Sequence, residues 1–223
     1  MTHLIHTNDT LASLATAHPE ATTVFLRHQL DFCCGGGRKL SDACATLGLD
    51  PAKIVAEIAA EQAPHEVIRW DKRPVEELVE HILTRYHAPL RRELSGLLEA
   101  AKKIERVHAA KPSCPHGLAA HLAQVATELE EHMTKEEQVL FPALRSGARG
   151  QAILMPVRVM MREHDDHGAN LRKMRDLATD FVPPPEACAT WRALYVGLAK
   201  LEGELMEHIH LENNVLFVKA LAH

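Results

Sequence analysis

The chain has 223 residues, 46% of them hydrophobic, and a formal net charge of −5. It can bury a real core, and its acidic balance without a long basic run argues against a nucleic-acid partner. No run of 18 apolar residues is present, which argues against a transmembrane helix. MTHLIHTNDT lacks the basic and apolar regions of a secretory leader. The five cysteines make an odd count without the even spacing of a secreted framework, so free thiols in a cytoplasmic protein are expected. Aromatic residues are scarce, and Leu, Ala, Val and Met carry the apolar load, which favours helix over sheet.

Residues 1–62 read as a small helical unit. Leu11 to His18 and Ala21 to Leu30 form short helices broken by Pro19. The run Gly35-Gly36-Gly37 then precedes a helix near Leu40 to Leu47, ended by Gly48, and Pro51 suits the first turn of another. Residues 63–73, which contain Pro64 and are followed by Pro74, read as a linker. Residues 74–223 then read as four long helices. The first spans about Val75 to Ala109 and contains Pro89, which should kink it or free a carbonyl. The second spans about His116 to Arg145. The third runs from Ile153 to Phe181, ended by Pro183-Pro184-Pro185, and the fourth from Glu186 to Leu221. Short turns join them, so the expected fold is all-α: a small N-terminal cysteine unit, then an antiparallel up-down four-helix bundle.

One turn is written twice. ELEEHMTKEEQVLF (128–141) and ELMEHIHLENNVLF (204–217) agree at eight of fourteen positions without a gap. Each copy carries His followed four residues later by Glu: His132 with Glu136, and His208 with Glu212. Residues four apart share a helix face, about 5–6 Å apart at Cβ, a spacing that suits metal ligation. Leu122, Val125, Leu129, His132, Glu136 and Val139 follow steps of three and four, and so do Leu198, Leu201, Leu205, His208, Glu212 and Val215. Both His/Glu pairs therefore belong to core-facing stripes. His87 stands in line with Leu83, Leu90 and Leu94. His164 lines up with Met160, Met161, Leu171 and Met174. Each bundle helix thus offers one inward His.

An apolar bundle has no packing reason to bury two carboxylates, because unpaired buried charge costs several kcal/mol. Four imidazoles and two carboxylates exceed the needs of one tetrahedral zinc. Two metals, bridged by Glu136 and Glu212 and each held by two His, use every ligand. Iron, manganese and zinc all suit this donor set. A ferritin-type site would want Glu-x-x-His, and Glu105-x-x-His108 and Glu207-x-x-His210 are present. His210, however, is about 200° around the helix from His208, and His108 falls at a helix end. His81 and His210 are expected to face solvent. Glu128, Glu163 and His167 are candidates to support the ligating imidazoles, with His167 also a possible extra ligand.

The second unusual string is Asp31-Phe32-Cys33-Cys34-Gly35-Gly36-Gly37. Adjacent cysteines are not a CxxC motif, and the glycine-rich turn leads to a helix whose N–H groups could lower a thiol pKa. DFCCGGGRKL together with His87, His132-x-x-x-Glu136, His164 and His208-x-x-x-Glu212 resembles the RIC (repair of iron centres) proteins, a hemerythrin-like class. The resemblance covers nearly the whole chain. It implies two non-haem iron ions with an oxo or hydroxo bridge on those six residues, and vicinal thiols Cys33 and Cys34 acting with them in redox or transfer chemistry. It further implies repair of iron–sulfur clusters damaged by nitrosative or oxidative stress, by iron donation or nitric oxide handling, with damaged iron–sulfur proteins as clients. Whether the site also reduces nitric oxide or passes on a nitrosyl group stays open. A nitric oxide or dioxygen sensor or scavenger is the alternative. Monomer and homodimer are both compatible with the sequence.

Overall fold

A computed structural model describes residues 4–61 and 68–222. Among these the chain is helical, and Thr10 and Lys39 form the one isolated extended bridge. Four short helices come first: α1 (Leu11–Ala17), α2 (Glu20–Arg27), α3 (Leu40–Leu47) and α4 (Pro51–Ala60). Their starts and stops follow local chemistry. The Thr10 hydroxyl accepts from Ser13 N at 3.1 Å, Asp50 caps the helix that Pro51 opens, and Gly48 ends α3 at φ +67°. Leu14, Phe25, Phe32, Leu40, Ile54 and Ile58 close a separate small core.

Four long helices follow. α5 runs Val75–Ile82 and, through a wide turn at Leu83–His87, into Ala88–Val107. α6 runs Leu118–Lys135, through Glu136–Leu140, into Phe141–Arg145. α7 spans Leu154–Leu177. α8 runs Ala189–Leu211, through Glu212–Leu216, into Phe217–Leu221. They pack as the expected up-down bundle. α7 stops before the expected Phe181, because Thr179, Asp180 and Phe181 take left-handed backbone angles ahead of the prolines. Of the expected linker, residues 63–67 lie outside the described residues. The stretch from Ile68 to Arg73 is fastened to the bundle: Lys219 Nζ donates to the carbonyls of Asp71 (2.8 Å) and Arg73 (2.7 Å).

The three wide turns are π turns. The N–H of Ala88 reaches Leu83 O, that of Phe141 reaches Glu136 O, and that of Phe217 reaches Glu212 O, each five residues back. Pro89 and Pro142 follow two of them, where the missing N–H and the ring disfavour a tight turn. No proline follows the third, so the shared cause is elsewhere: each π turn contains His87, Glu136 or Glu212. The extra residue shifts the helix phase after the buried polar group. This corrects the expected stripe on α6. Val139 is 58% exposed, whereas Leu140 and Phe141 are buried. On α7 Met160 is buried but Met161 faces solvent.

The bundle has two apolar layers. One includes Leu94, Leu122, Leu129, Leu198 and Leu201; the other includes Leu78, Ile82, Leu144, Val157 and Phe217. The polar cluster lies between them. The N-terminal unit covers one side of it: Asn214 Nδ2 donates to Phe32 O (3.2 Å) and Cys33 O (3.1 Å). His210, expected at the surface, is buried beneath this unit, with its ring 5.7 Å from that of Phe32 and Asn214 Nδ2 at 3.1 Å.

Candidate metal centre

The six inward residues meet in two overlapping groups. His87 and His208 share one with Glu136 and Glu212; His132 and His164 share the other with the same two carboxylates. The pairing crosses the hairpins, joining α5 to α8 and α6 to α7. All six side chains are at most 2% exposed. His87 Nε2 lies 3.2 Å from His208 Nε2, and His164 Nε2 lies 3.1 Å from His132 Nε2.

The outer nitrogens set what these atoms can be. His87 Nδ1 faces Glu137 Oε1 at 2.8 Å, His132 Nδ1 faces Glu163 Oε2 at 2.9 Å, and His164 Nδ1 faces Asn213 Oδ1 at 2.7 Å. Against the pull of burial, Arg91 and His87 hold the Glu137 carboxyl below its usual range, so it only accepts. Each of these three imidazoles therefore donates from Nδ1 and presents a bare lone pair at Nε2. The lone pairs of His132 and His164 converge at 3.1 Å and repel unless a cation lies between them, whereas His208 Nε2 also lies 3.0 Å from Glu212 Oε1. Both Glu136 oxygens and Glu212 Oε2 are buried without a hydrogen-bond partner. A cation-holding site explains both features, and a packed polar core explains neither.

Metal-free, the cluster resists charging. Burial, then the neighbouring His208, lowers His87 to about 4; burial and His164 lower His132 to about 2. Burial and Glu212 push the Glu136 carboxyl up. For Glu212, burial is outweighed by His208 and His164, which hold it down. The cavity thus keeps His87 and His132 deprotonated and Glu212 ionised, ready for a cation.

Residues 78–220 match the family described as the hemerythrin HHE cation binding domain. Residues 7–62 match a domain of unknown function, DUF542. Iron-sulfur cluster repair proteins YtfE from Yersinia pseudotuberculosis serotype IB (strain PB1/+) and Yersinia pestis (strain Pestoides F) are each 47% identical over 215 residues, covering 96% of this chain and 97% of theirs. This chain belongs to the hemerythrin-like YtfE family. The buried histidines and carboxylates fit the non-haem iron site expected of such a hemerythrin-like protein.

The hemerythrin-like bundle also explains residues that periodicity did not single out. Glu137 and Asn213 each follow a central Glu by one position, and each accepts from the Nδ1–H of an imidazole on another helix. The place where the repeated turns differ, Glu137 against Asn213, is the signal that could have found them. Tyr86 lies flat on His208, ring centres 5.2 Å apart and 9° from parallel, and His208 Nδ1 has no partner. Among the expected supporting residues, Glu163 bonds His132 and also pairs with Lys135. Glu128 instead bonds Gln124 (2.8 Å) and Asn170 (2.6 Å) and reaches no inward imidazole. His167 is buried edge-on to His132 at 4.9 Å, outside both groups, with both ring nitrogens unpartnered. Of the ferritin-like pairs, Glu105 accepts from Ala119 N (2.7 Å) at the start of α6, away from the cluster.

The cysteines sit where the N-terminal unit meets α7. Cys34 Sγ lies 3.3 Å from His164 O, and the two sulfurs are 3.7 Å apart and free. Asp31 Oδ1 accepts from Cys34 N at 3.0 Å and faces Cys33 Sγ at 3.2 Å. Asn213 links both parts, donating to Cys33 O (3.4 Å) while accepting from His164. The expectation of a lowered thiol pKa fails for Cys33. Its hydrogen bond with Cys34, burial and Asp31 all push it well above the usual range. Gly36 lets the cysteine loop close within the N-terminal unit: a Cβ there would lie 2.6 Å from Phe32 O and 2.9 Å from Ala12 Cβ, and 3.1 Å from Asn214 Nδ2 of the bundle.

Proposed function

We propose that this chain repairs iron–sulfur clusters damaged by nitrosative or oxidative stress, using a di-iron centre on His87, His132, Glu136, His164, His208 and Glu212. One observation carries the reading: both carboxylates belong to both His pairs, the arrangement two bridged ions need. Iron bound there supplies a releasable ferrous reservoir and open positions for a diatomic ligand. Four neutral imidazoles and two carboxylates offer two negative charges against the four positive charges of a ferrous pair, which favours release to an apo-client. Glu137, Glu163 and Asn213 fix three imidazoles by their Nδ1–H groups, so the cavity stays ordered when empty. The two apolar layers exclude water from it.

Cys33 and Cys34 distinguish repair from plain gas binding. They pack against the backbone of a ligand-bearing helix, near enough to sense a change at His164. A sensor or scavenger of nitric oxide or dioxygen has no need of them. The Cys33→Ser, Cys34→Ser double variant should keep its iron and lose the ability to restore a nitric-oxide-damaged hydratase. Restoration at the normal rate would leave the sensor reading standing and remove the cysteines from the account.

A further inference from the structure

A row of aromatic rings leads from the linker segment to the metal centre. Trp70 stacks on His81 with ring centres 4.3 Å apart; His81 meets Tyr86 edge-on at 5.7 Å; Tyr86 stacks on His208 at 5.2 Å. These separations are those of rings in direct contact. The row is also accessible. Trp70, His81 and Tyr86 line a cavity of about 560 Å³ between the N-terminal unit and the bundle, with Thr23, Arg85 and Glu207 also on its wall. That volume suits a small planar molecule.

The pseudo-twofold repeat makes Tyr86 stand out. Tyr86 precedes His87 as Glu163 precedes His164. Glu163 hydrogen-bonds the outer nitrogen of His132, whereas Tyr86 lies flat on His208 and leaves that nitrogen unpaired. A ring has replaced a carboxylate on one side only. Arg85 sits over the other part of the Tyr86 ring at 5.1 Å and is anchored to Glu204 at 2.9 Å. Burial and Arg85 lower His81, which stays a neutral ring.

We infer that this cavity is an electron port: a small, planar one-electron donor enters it, and the Tyr86 ring couples that donor to the centre through His208. The inference rests on the di-iron reading above. The donor loses one electron and the His208 side of the centre gains it, with no proton transferred. Electron tunnelling falls steeply with distance through saturated packing, so contiguous π rings favour this side of the bundle. Among the described residues His208 is reached through three successive rings, whereas His132 meets the single ring of His167 at 4.9 Å, so the two halves of the centre differ in electronic access.

The test uses the full chain. Stopped-flow absorbance follows reduction of the oxidised, iron-loaded protein by the methyl viologen radical. Tyr86→Phe keeps the ring and should match the wild-type rate, while Tyr86→Leu should slow it about tenfold or more. Thr23→Phe, which narrows the cavity far from any ligand, should slow viologen but not the smaller sulfur dioxide radical anion. A second readout needs no metal. The chain has two tryptophans, so in metal-free Trp191→Phe protein only Trp70 emits, and viologen should quench it saturably. Equal rates in all variants, equal losses in Tyr86→Phe and Tyr86→Leu, or quenching without saturation would overturn the port. Failure to load iron would strike the metal reading alone, and Trp70 quenching would still decide whether the cavity takes the donor.

Discussion

Removing the carboxylate of Glu137 tests the idea that outer hydrogen bonds tune the centre. The side chain touches no other ligand, yet it fixes the tautomer of His87 at 2.8 Å. His87 is 1% exposed and Glu137 31%, so after Glu137→Ala water replaces part of the lost acceptor and the cost stays below that of a fully sealed N–H. An unpaired buried N–H costs about 1–3 kcal/mol, and loss of such a partner weakens metal binding by about 10–100-fold. Arg91 keeps its pair with Glu130 at 2.7 Å, so the helices stay joined. Glu137→Gln retains an acceptor oxygen and copies what Asn213 does for His164. It should therefore lose less than Ala. Anaerobic competition with a ferrous chelator reads both affinities. Unchanged binding in Glu137→Ala, or equal losses in Ala and Gln, would refute the reasoning.

Further expectations follow from the packing and the charges. Val139→Ser should stay within about 0.5 kcal/mol of wild type, whereas Leu140→Ala should cost about 2–5 kcal/mol, because the π turn puts Val139 in solvent and Leu140 in the core; urea unfolding that shows the reverse order would deny the phase shift. Gly36→Ala should cost about 1–3 kcal/mol and speed alkylation of Cys33, since its Cβ would strike the Phe32 carbonyl, while Gly168→Ala, at an ordinary 3.5 Å from Cys34 Sγ, should do neither. Mass-spectrometric thiol labelling alongside a thermal melt checks both. Metal-free protein should lose stability as pH falls from about 6.5 toward 4. His87, His167 and His210 are lowered to about 4 and His132 to about 2, so the unfolded chain binds more protons across that window. The raised Glu136 carboxyl opposes the trend, but four imidazoles outnumber it. A melting temperature that rises on acidification would contradict these burials.

Much of the site was legible because ligands must sit where an apolar stripe runs. His132, Glu136, His208 and Glu212 stood out as polar residues in positions that packing reserves for Leu and Val. His87 and His164 followed from the same stripes on the other two helices. The pairing of His87 with His208 was not legible, since periodicity gives a helix face but not its neighbour. The π turns were hidden for a related reason: constant 3.6-residue steps carry Val139 inward, and only the buried carboxylate one turn earlier explains the extra residue. The periodicity of the bundle alone puts His210 outside; the N-terminal unit that covers it lies far away in sequence. Tyr86, Glu137 and Asn213 each lie beside a ligand in sequence but act on an imidazole from another helix. Their roles appear only once the bundle closes.

The central claim is two bridged irons on six named side chains. Metal analysis with Mössbauer spectroscopy on anaerobically reconstituted protein tests it most directly. The account predicts two irons per chain, a coupled pair, and loss of that pair in Glu136→Ala and Glu212→Ala alike. One iron per chain, or a coupled pair that survives removal of either carboxylate, would contradict it.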